Sequence, residues 1–420
     1  MQTEQLSPMP DHPALVERAR AQQAAVMRRT ESMRADLPLR YLRQQAHLTA
    51  PASEYRLAEK ALSGAYAIAT RLLQRYAITP GQLADRLGVD VAIVAAALEE
   101  SAAPLVLIDL EDGVAPSMVA EARANAVRLL RDVDRGPALC FVRPVGVTNP
   151  RCADDLVELL IGAGGGLPPD AYPLDGIVLP KVRHVHEVEW VDSLLGSVEE
   201  ALGLPRNRIR VSFQVETGWG VLNLPALVAA GLARLSGVIL GTVDLSADVM
   251  LPSVRYRHPV CEWARTMIVL AAGSAGVPAI DGMTLDFPVG LPGLDAAQNH
   301  DLVLDRMRAN FDDAMHSIDH GMSGRWVGHP LQLVATAIAF RHSFSPATIE
   351  RDVATVESFA QSLSADRGAA AGGGGELLDV GTDRHVRQLL RRATAWGLLT
   401  PERAAGLGIV DAREAEALPA

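Results

Sequence analysis

Short apolar runs alternate with helical stretches along most of this chain. From Ala46 onward the runs are AHLTA (46–50), LVLID (105–109), ALCFVR (138–143), GIVLPK (176–181), IRVSFQVE (209–216), GVILG (237–241), VPAID (277–281) and GRWVGH (324–329). Several are near-continuous Val, Ile and Leu, as expected of strands covered on both faces. Between them lie stretches with helical apolar spacing, such as SMVAEARANAVRLLRDV, VHEVEWVDSLLGSVEEAL and NLPALVAAGLARL. Eight βα units of this kind predict an α/β fold, a (β/α)8 TIM barrel over 41–345, with its chemistry at the C-terminal ends of the strands. Three additions surround it. Residues 1–40 predict a polar, Arg-rich N-terminal helical arm. The connection after the first strand is too long for one helix and predicts a helical insertion over about 63–103. Its segment GQLADRLGVDVAIVAAAL has the rhythm of a helix-turn-helix. Residues 346–420 predict a Gly/Ala linker, SADRGAAAGGGGE, followed by a C-terminal helical lid segment, ELLDVGTDRHVRQLLRRATAWGLL.

Composition narrows the class. Hydrophobic residues make up 49% of the 420, enough for a large core, which excludes global disorder. Lys and Arg total 39 against 50 Asp and Glu, a net charge of −11. That balance argues against nucleic acid or an anionic membrane as partner, and the insertion is itself acidic, against a DNA-reading role. Cys140, Cys152 and Cys261 form no CxxC pair, which fits a reducing cytoplasm. No apolar run reaches the ~18 residues of a membrane span, and the polar start MQTEQLSPMPDH lacks a signal-peptide core. These features predict a soluble, cytoplasmic protein. Almost all basic residues are arginine, as a GC-rich coding sequence gives. Only Lys60 and Lys181 are lysines, and both mark positions where a compact ammonium could be wanted.

The predicted strand ends are rich in polar groups. The second gives Asp109-Leu110-Glu111-Asp112-Gly113, the third Arg143-Pro144, the fourth Pro180-Lys181 and the fifth Glu216-Thr217-Gly218. The sixth gives Gly241-Thr242-Val243-Asp244, the seventh Asp281-Gly282 and the eighth Gly328-His329-Pro330. A mouth with at least five acids needs more positive charge than one arginine and one lysine supply. A bound divalent cation meets that need. Carboxylates without a His/Cys cluster favour a hard ion such as Mg²⁺. Taken singly, each acid also reads as a helix N-cap, Asp109 and Asp112 especially, Asp281 as a loop cap, Arg143 as a structural ion pair and His329 as a loop anchor. Glu216 and Asp244 together are harder to explain that way. Adjacent strands lie ~4.8 Å apart, so the two carboxylates can share one metal.

These residues, in their context, resemble the citrate lyase beta subunit and malyl-CoA lyase family of Mg²⁺-dependent barrel lyases. The matching segments are RQQAHLTAPASEYRLAEKAL, LVLIDLEDGVAPSMVAEAR, FVRPVGVTN, IVLPKV, QVETGWGVLNL, VILGTVDLSAD, PAIDG and GRWVGHPLQL, in order over about residues 40–345. The resemblance implies that Glu216 and Asp244 hold Mg²⁺ and that Arg143 contacts carbonyl or carboxylate oxygens of the substrate. Glu111 and Asp112 would surround the metal waters and Arg143, and the backbone of Gly241 and Thr242 would bind a 2-oxo acid carboxylate. Lys181 would meet phosphate or thioester groups of an acyl-CoA. The tail GELLDVGTDRHVRQLLRRA resembles the segment that crosses to a neighbouring subunit, so Asp379 would be a general acid/base delivered in trans within a homotrimer or homohexamer. The chain departs from the family where Pro-Val-Gly follows Arg143 and in the wording of its first strand. The activity implied is cleavage of a 2-hydroxy acid or its CoA thioester into a 2-oxo acid such as glyoxylate and an acyl product. A malyl-CoA-type thioesterase and a non-catalytic barrel scaffold are the alternatives.

Overall fold

The computed structural model describes residues 12–31, 33–371, 377–416 and 418. The eight strands are β1 (Ala46–Pro51), β2 (Leu105–Asp109), β3 (Leu139–Arg143), β4 (Gly176–Leu179), β5 (Arg210–Val215), β6 (Leu235–Leu240), β7 (Ala279–Asp281) and β8 (Gly324–Val327). They form a closed parallel barrel in chain order, β1 pairing with both β2 and β8. The expected runs sit on these strands, with ends shifted by a few residues. β4 stops at Leu179 because Pro180 cannot donate to the ladder and Lys181 turns into the left-handed region at φ +54°. Closure is tight: a Cβ on Gly324 would stand 1.8 Å from the Gln44 carbonyl oxygen.

Period-two alternation decides what faces the lumen. Leu105 and Leu107 of β2 and Leu139 and Phe141 of β3 point inward with Val178, Ile239, Ile280 and Trp326, over Tyr41. Val106, Ile108, Cys140 and Val142 point outward into the helical layer. The next inward positions are Asp109 and Arg143, which are register partners on β2 and β3. On β5, Val211, Phe213 and Val215 pack outward, which turns Ser212, Gln214 and Glu216 to the lumen.

The helices begin with α1 (His12–Glu31), α2 (Tyr55–Arg75), α3 (Pro80–Leu87), α4 (Val91–Leu98), α5 (Val119–Asp132), α6 (Cys152–Gly164), α7 (Val185–Leu202) and α8 (Gly218–Gly231). They continue with α9 (Thr242–Asp248), α10 (Pro259–Ala275), α11 (Ala296–Asp319), α12 (Pro330–Ser343), α13 (Pro346–Ser364) and α14 (Val380–Ala395), before two short C-terminal helices. The insertion is helical as expected. A Thr79–Gln82 capping box starts α3, Gly88 in the left-handed region ends it, and Asp90 caps α4. α3 and α4 pack on α11 and α12. The arm contains α1, with residues 1–11 outside the described residues. Among the described residues no helix is long and apolar enough to cross a membrane.

The C-terminal segment corrects one expectation. Its apolar stripe finds a surface within its own chain, and it does not cover its own barrel mouth. Val386, Leu390 and Ala393 of α14 are buried against Leu39, Phe340, Ile349 and Val353. The Trp396 indole donates to the Leu42 carbonyl at 2.8 Å, below the start of β1. The linker glycines Gly373, Gly374 and Gly375 lie outside the described residues. Truncating the fully buried Leu390 to Ala should destabilise the protein by about 2–5 kcal/mol, read as a lower midpoint in denaturant unfolding. A neutral result would mean that α14 is not docked on this surface.

Candidate active site

The cavity at the C-terminal ends of the strands has a volume of about 180 Å³. Its lining includes Asp112, Arg143, Gln214, Glu216, Gly241, Thr242, Asp244, Met283 and Trp326. Arg143 is its fixed point. Nε and Nη2 donate to the two oxygens of Asp109 at 2.7 and 2.8 Å, a bidentate pair buried on both sides. Nη1 faces the cavity side, 3.1 Å from Glu111 and 3.7 Å from Asp112. The guanidinium lies 4.9 Å from the ring centroid of Trp326, whose indole N–H donates to Thr49. Burial works to neutralise Arg143, but Asp109, Glu111 and Glu216 overcome it and hold the cation above its ordinary range.

Asp109 is thus neither a helix cap nor a catalytic acid. It holds Arg143 and also accepts from the backbone N–H groups of Glu111 at 3.0 Å and Gly113 at 2.9 Å, which shapes the 110–113 loop. A Cβ on Gly113 would come within 2.6 Å of its Oδ2. Asp281 is likewise structural. It is fully buried, bonded by Arg265 Nε at 2.9 Å, by Ser317 and by Tyr256, and the arginines Arg265 and Arg325 hold its carboxyl below the usual range against the effect of burial. These two arginines correct the charge balance read from the strand ends, because Asp281 has cations of its own that the strand ends do not show. His329 caps α12 by accepting from the Leu331 N–H at 3.2 Å, and burial pushes its imidazole down to about 4. It is a neutral anchor.

Four carboxylates remain: Glu111, Asp112, Glu216 and Asp244. Lys181 Nζ reaches Glu111 at 2.6 Å, Asp112 at 3.1 Å and Asp244 at 3.8 Å. The left-handed turn at Lys181 also aims its backbone N–H at Glu216 Oε1, 3.0 Å away. Lys181 therefore organises the carboxylates, where the resemblance assigned it to phosphate or thioester groups. Glu216 is fully buried, and Gln214 donates to its Oε2 at 2.5 Å. Burial first, then Asp244 and Glu111, pushes the Glu216 carboxyl up to about 8. Burial raises Glu111 to about 7, partly offset by Arg143 and Lys181. Asp379 is not brought to this group within the chain: its carboxylate caps α14, accepting from Thr382 N–H at 2.9 Å.

The donor set suits a hard divalent ion. Glu216 and Asp244 offer only carboxylate oxygens, and like charges are crowded with too little nearby compensation. The space over Glu216 is kept clear by Gly241, where a Cβ would stand 2.3 Å from Oε2. Beside it, the buried Thr242 hydroxyl and the side-chain amide oxygen Oε1 of Gln214 have no hydrogen-bond partner. Gln214 and Trp326 were not singled out from the sequence, and Asp109 was read there as a helix N-cap and not as the partner of Arg143. The signal that could have found Asp109 and Gln214 was the inward phase of their strands.

Comparison with known proteins finds carbon–carbon lyases of the citrate lyase beta and malyl-CoA lyase group among the proteins this chain is similar to. The chain is 27% identical over 317 residues to the L-malyl-CoA/beta-methylmalyl-CoA lyase of Rhodobacter capsulatus, covering 70% of this chain and 89% of that protein. It is 28% identical over 270 residues to the human mitochondrial citramalyl-CoA lyase, covering 63% and 71%. By fold it is similar to a citrate lyase from Burkholderia xenovorans LB400, with TM-score 0.55, 22% identity and coverage of 72% and 87%. It is also similar to Haloferax volcanii malate synthase in its lead(II) complex, with TM-score 0.50, 16% identity and coverage of 90% and 98%. Residues 38–418 match the family described as "Domain of unknown function (DUF6986)", and the chain belongs to that family.

An ionised Glu216 costs stability wherever the folded carboxyl resists deprotonation but the unfolded one does not. The cost is absent below about pH 4.5 and grows up to about pH 8. Glu216→Gln should therefore be more stable than wild type at pH 8 in chelator, by about 1–2 kcal/mol, with the gain vanishing near pH 4. Equal thermal midpoints at pH 8 would show that Glu216 is not a strained carboxylate.

Proposed function

We propose that this protein is a divalent-metal-dependent lyase that cleaves or forms a carbon–carbon bond between a 2-oxo acid such as glyoxylate and the enolate of an acyl-CoA thioester. The observation that carries the reading is the buried Glu216 beside Asp244, facing a cavity shared with a rigidly held Arg143. The names of the relatives support the thioester. Glu216 and Asp244 would hold the metal, Mg²⁺ by donor chemistry, and the bound ion would supply a Lewis acid for the carbonyl and carboxylate oxygens of the oxo acid.

In the cleavage direction the hydroxyl proton of the substrate leaves, its oxygen becomes the carbonyl, and the electrons of the broken carbon–carbon bond pass into the acyl enolate. Glu111, held near 7, is poised to accept that proton at neutral pH. Nη1 of Arg143, the arm that Asp109 leaves free, stabilises the enolate charge. Asp112 and Lys181 keep Glu111 in place. The first N–H groups of α9, at Thr242, have no acceptor within the helix and face the oxo acid carboxylate beside Gly241. Asp379, from a second copy of the chain, protonates the enolate carbon.

Purified full-length protein should release glyoxylate from malyl-CoA with Mg²⁺ and lose activity in chelator. Free malate without glyoxylate would make it a thioesterase instead, and no turnover across 2-hydroxyacyl-CoA substrates would sink the reading. Asp244→Asn should abolish metal-dependent turnover. Arg143→Lys should lower it about 10²-fold or more, because lysine cannot hold Asp109 with two donors and still present a third. Near-normal kinetics in Arg143→Lys would reduce Arg143 to a structural ion pair.

The assignment of Asp379 has its own test. Mixing inactive Asp379→Asn with inactive Glu216→Gln under subunit exchange should restore partial activity, since hybrid sites take one good residue from each chain. Failure to complement despite proven exchange would leave Asp379 as the α14 cap alone.

A further inference from the structure

A second cluster of metal-ligating side chains lies in the outer helical layer, away from the barrel mouth. His316 and His320 stand four residues apart on one face at the end of α11, and Glu262 lies in the first turn of α10 opposite them. Their ligand atoms all fall within 4.8 Å of one another, the only such trio of His, Cys, Asp or Glu among the described residues. Nε2 of His316 is 3.1 Å and Nε2 of His320 is 2.8 Å from the same oxygen, Oε2 of Glu262. A tetrahedral ion with bonds of about 2.0–2.1 Å holds neighbouring ligand atoms about 3.3 Å apart, close to these separations.

Hydrogen-bond bookkeeping sharpens the case. Nδ1 of His320 lies 3.2 Å from the His316 carbonyl oxygen, which can only accept, so Nδ1 carries the proton. In the neutral ring Nε2 then presents a lone pair directly to a carboxylate oxygen. Two lone pairs at 2.8 Å repel unless a cation stands between them. An N–H given to a backbone carbonyl from the far ring nitrogen is also how metal-bound histidines are oriented. Glu262 is steadied in turn by Arg265 Nη1, 2.9 Å from its Oε1, so Oε2 is left to the histidines. The three side chains keep 20–29% of their surface exposed, which leaves a way in for solvent.

We propose that Glu262, His316 and His320 form a divalent transition-metal site of the zinc class, with three protein ligands and a fourth position open to water. Two imidazoles and one carboxylate suit a borderline ion, in contrast to the all-oxygen mouth, so the two sites select different metals. The site joins α10 to α11, the two helices that supply Arg265 and Ser317 to Asp281 at the end of β7. It stands independently of the reaction assigned to the mouth.

Full-length protein stripped with chelator and then held in excess Mg²⁺ should bind one Zn²⁺ per chain in calorimetry at pH 7.5. Binding should release protons and raise the thermal midpoint. Co²⁺ in place of Zn²⁺ should give the visible absorption of a four-coordinate ion. His316→Gln and His320→Gln should each weaken Zn²⁺ binding at least about 100-fold, and Glu216→Gln should leave it unchanged. If a histidine variant fails to fold, Glu262→Gln serves as the second probe, with the same loss expected. Absence of zinc binding by the wild type, or unchanged stoichiometry in folded His316→Gln/His320→Gln, would overturn the proposal and leave the trio as an imidazolium–carboxylate pair.

Discussion

The mouth of this barrel is organised around one buried cation. Arg143 is nearly sealed from water, and a guanidinium cannot be neutralised by giving up its proton. It must therefore be met by fixed carboxylates. Asp109 meets it with both oxygens from the adjacent strand, in register, and everything else is placed relative to that pair. Glu111 follows from the loop that Asp109 shapes, Lys181 follows Glu111, and the Lys181 backbone reaches Glu216. Removing one partner of such a pair costs about 3–5 kcal/mol, because the other is left buried and unpaired. The chain of contacts thus crosses from β2 to β5 and ends on the carboxylate that is least compensated.

Much of the architecture was legible in the sequence because parallel barrel strands are buried on both faces and read as short apolar runs. The polar residues that end them were legible for the same reason: Glu216, Asp244 and Arg143 break a run at the place where a barrel puts its chemistry. What could not be read was pairing. Asp109 and Asp281 looked like their neighbours in the linear sequence, and only the lumen shows that Arg143 and the Arg265–Arg325 pair already neutralise them. Arg265 is 16 residues before Asp281, on a helix with no local sign of the contact. The C-terminal segment was legible as helical, but its docking surface comes from Leu39, Phe340 and Ile349, scattered over the chain.

The two clusters of ionisable groups contrast in a way that follows from their solvent exposure. At the mouth, low-dielectric walls push Glu216 and Glu111 toward neutrality, so the site holds strain until a ligand relieves it. Such strain lowers stability in return for function, and a large core elsewhere tolerates it. The Glu262–His316–His320 group sits near water and lies between helices, where it tightens the scaffold around β7.

Trp326 has an effect that reaches beyond packing. Its indole lies under the Arg143 guanidinium and is tied by its N–H to Thr49, so a strut spans the lumen from β3 through β8 to β1. The cavity ends on that ring. The depth of the cavity on that side is therefore set on β8, three strands from the one that leads to Glu216. A smaller side chain at that position would deepen the cavity and at the same time remove the ring that lies against the Arg143 guanidinium. The length of ligand that fits and the setting of the buried cation are thus coupled through one ring.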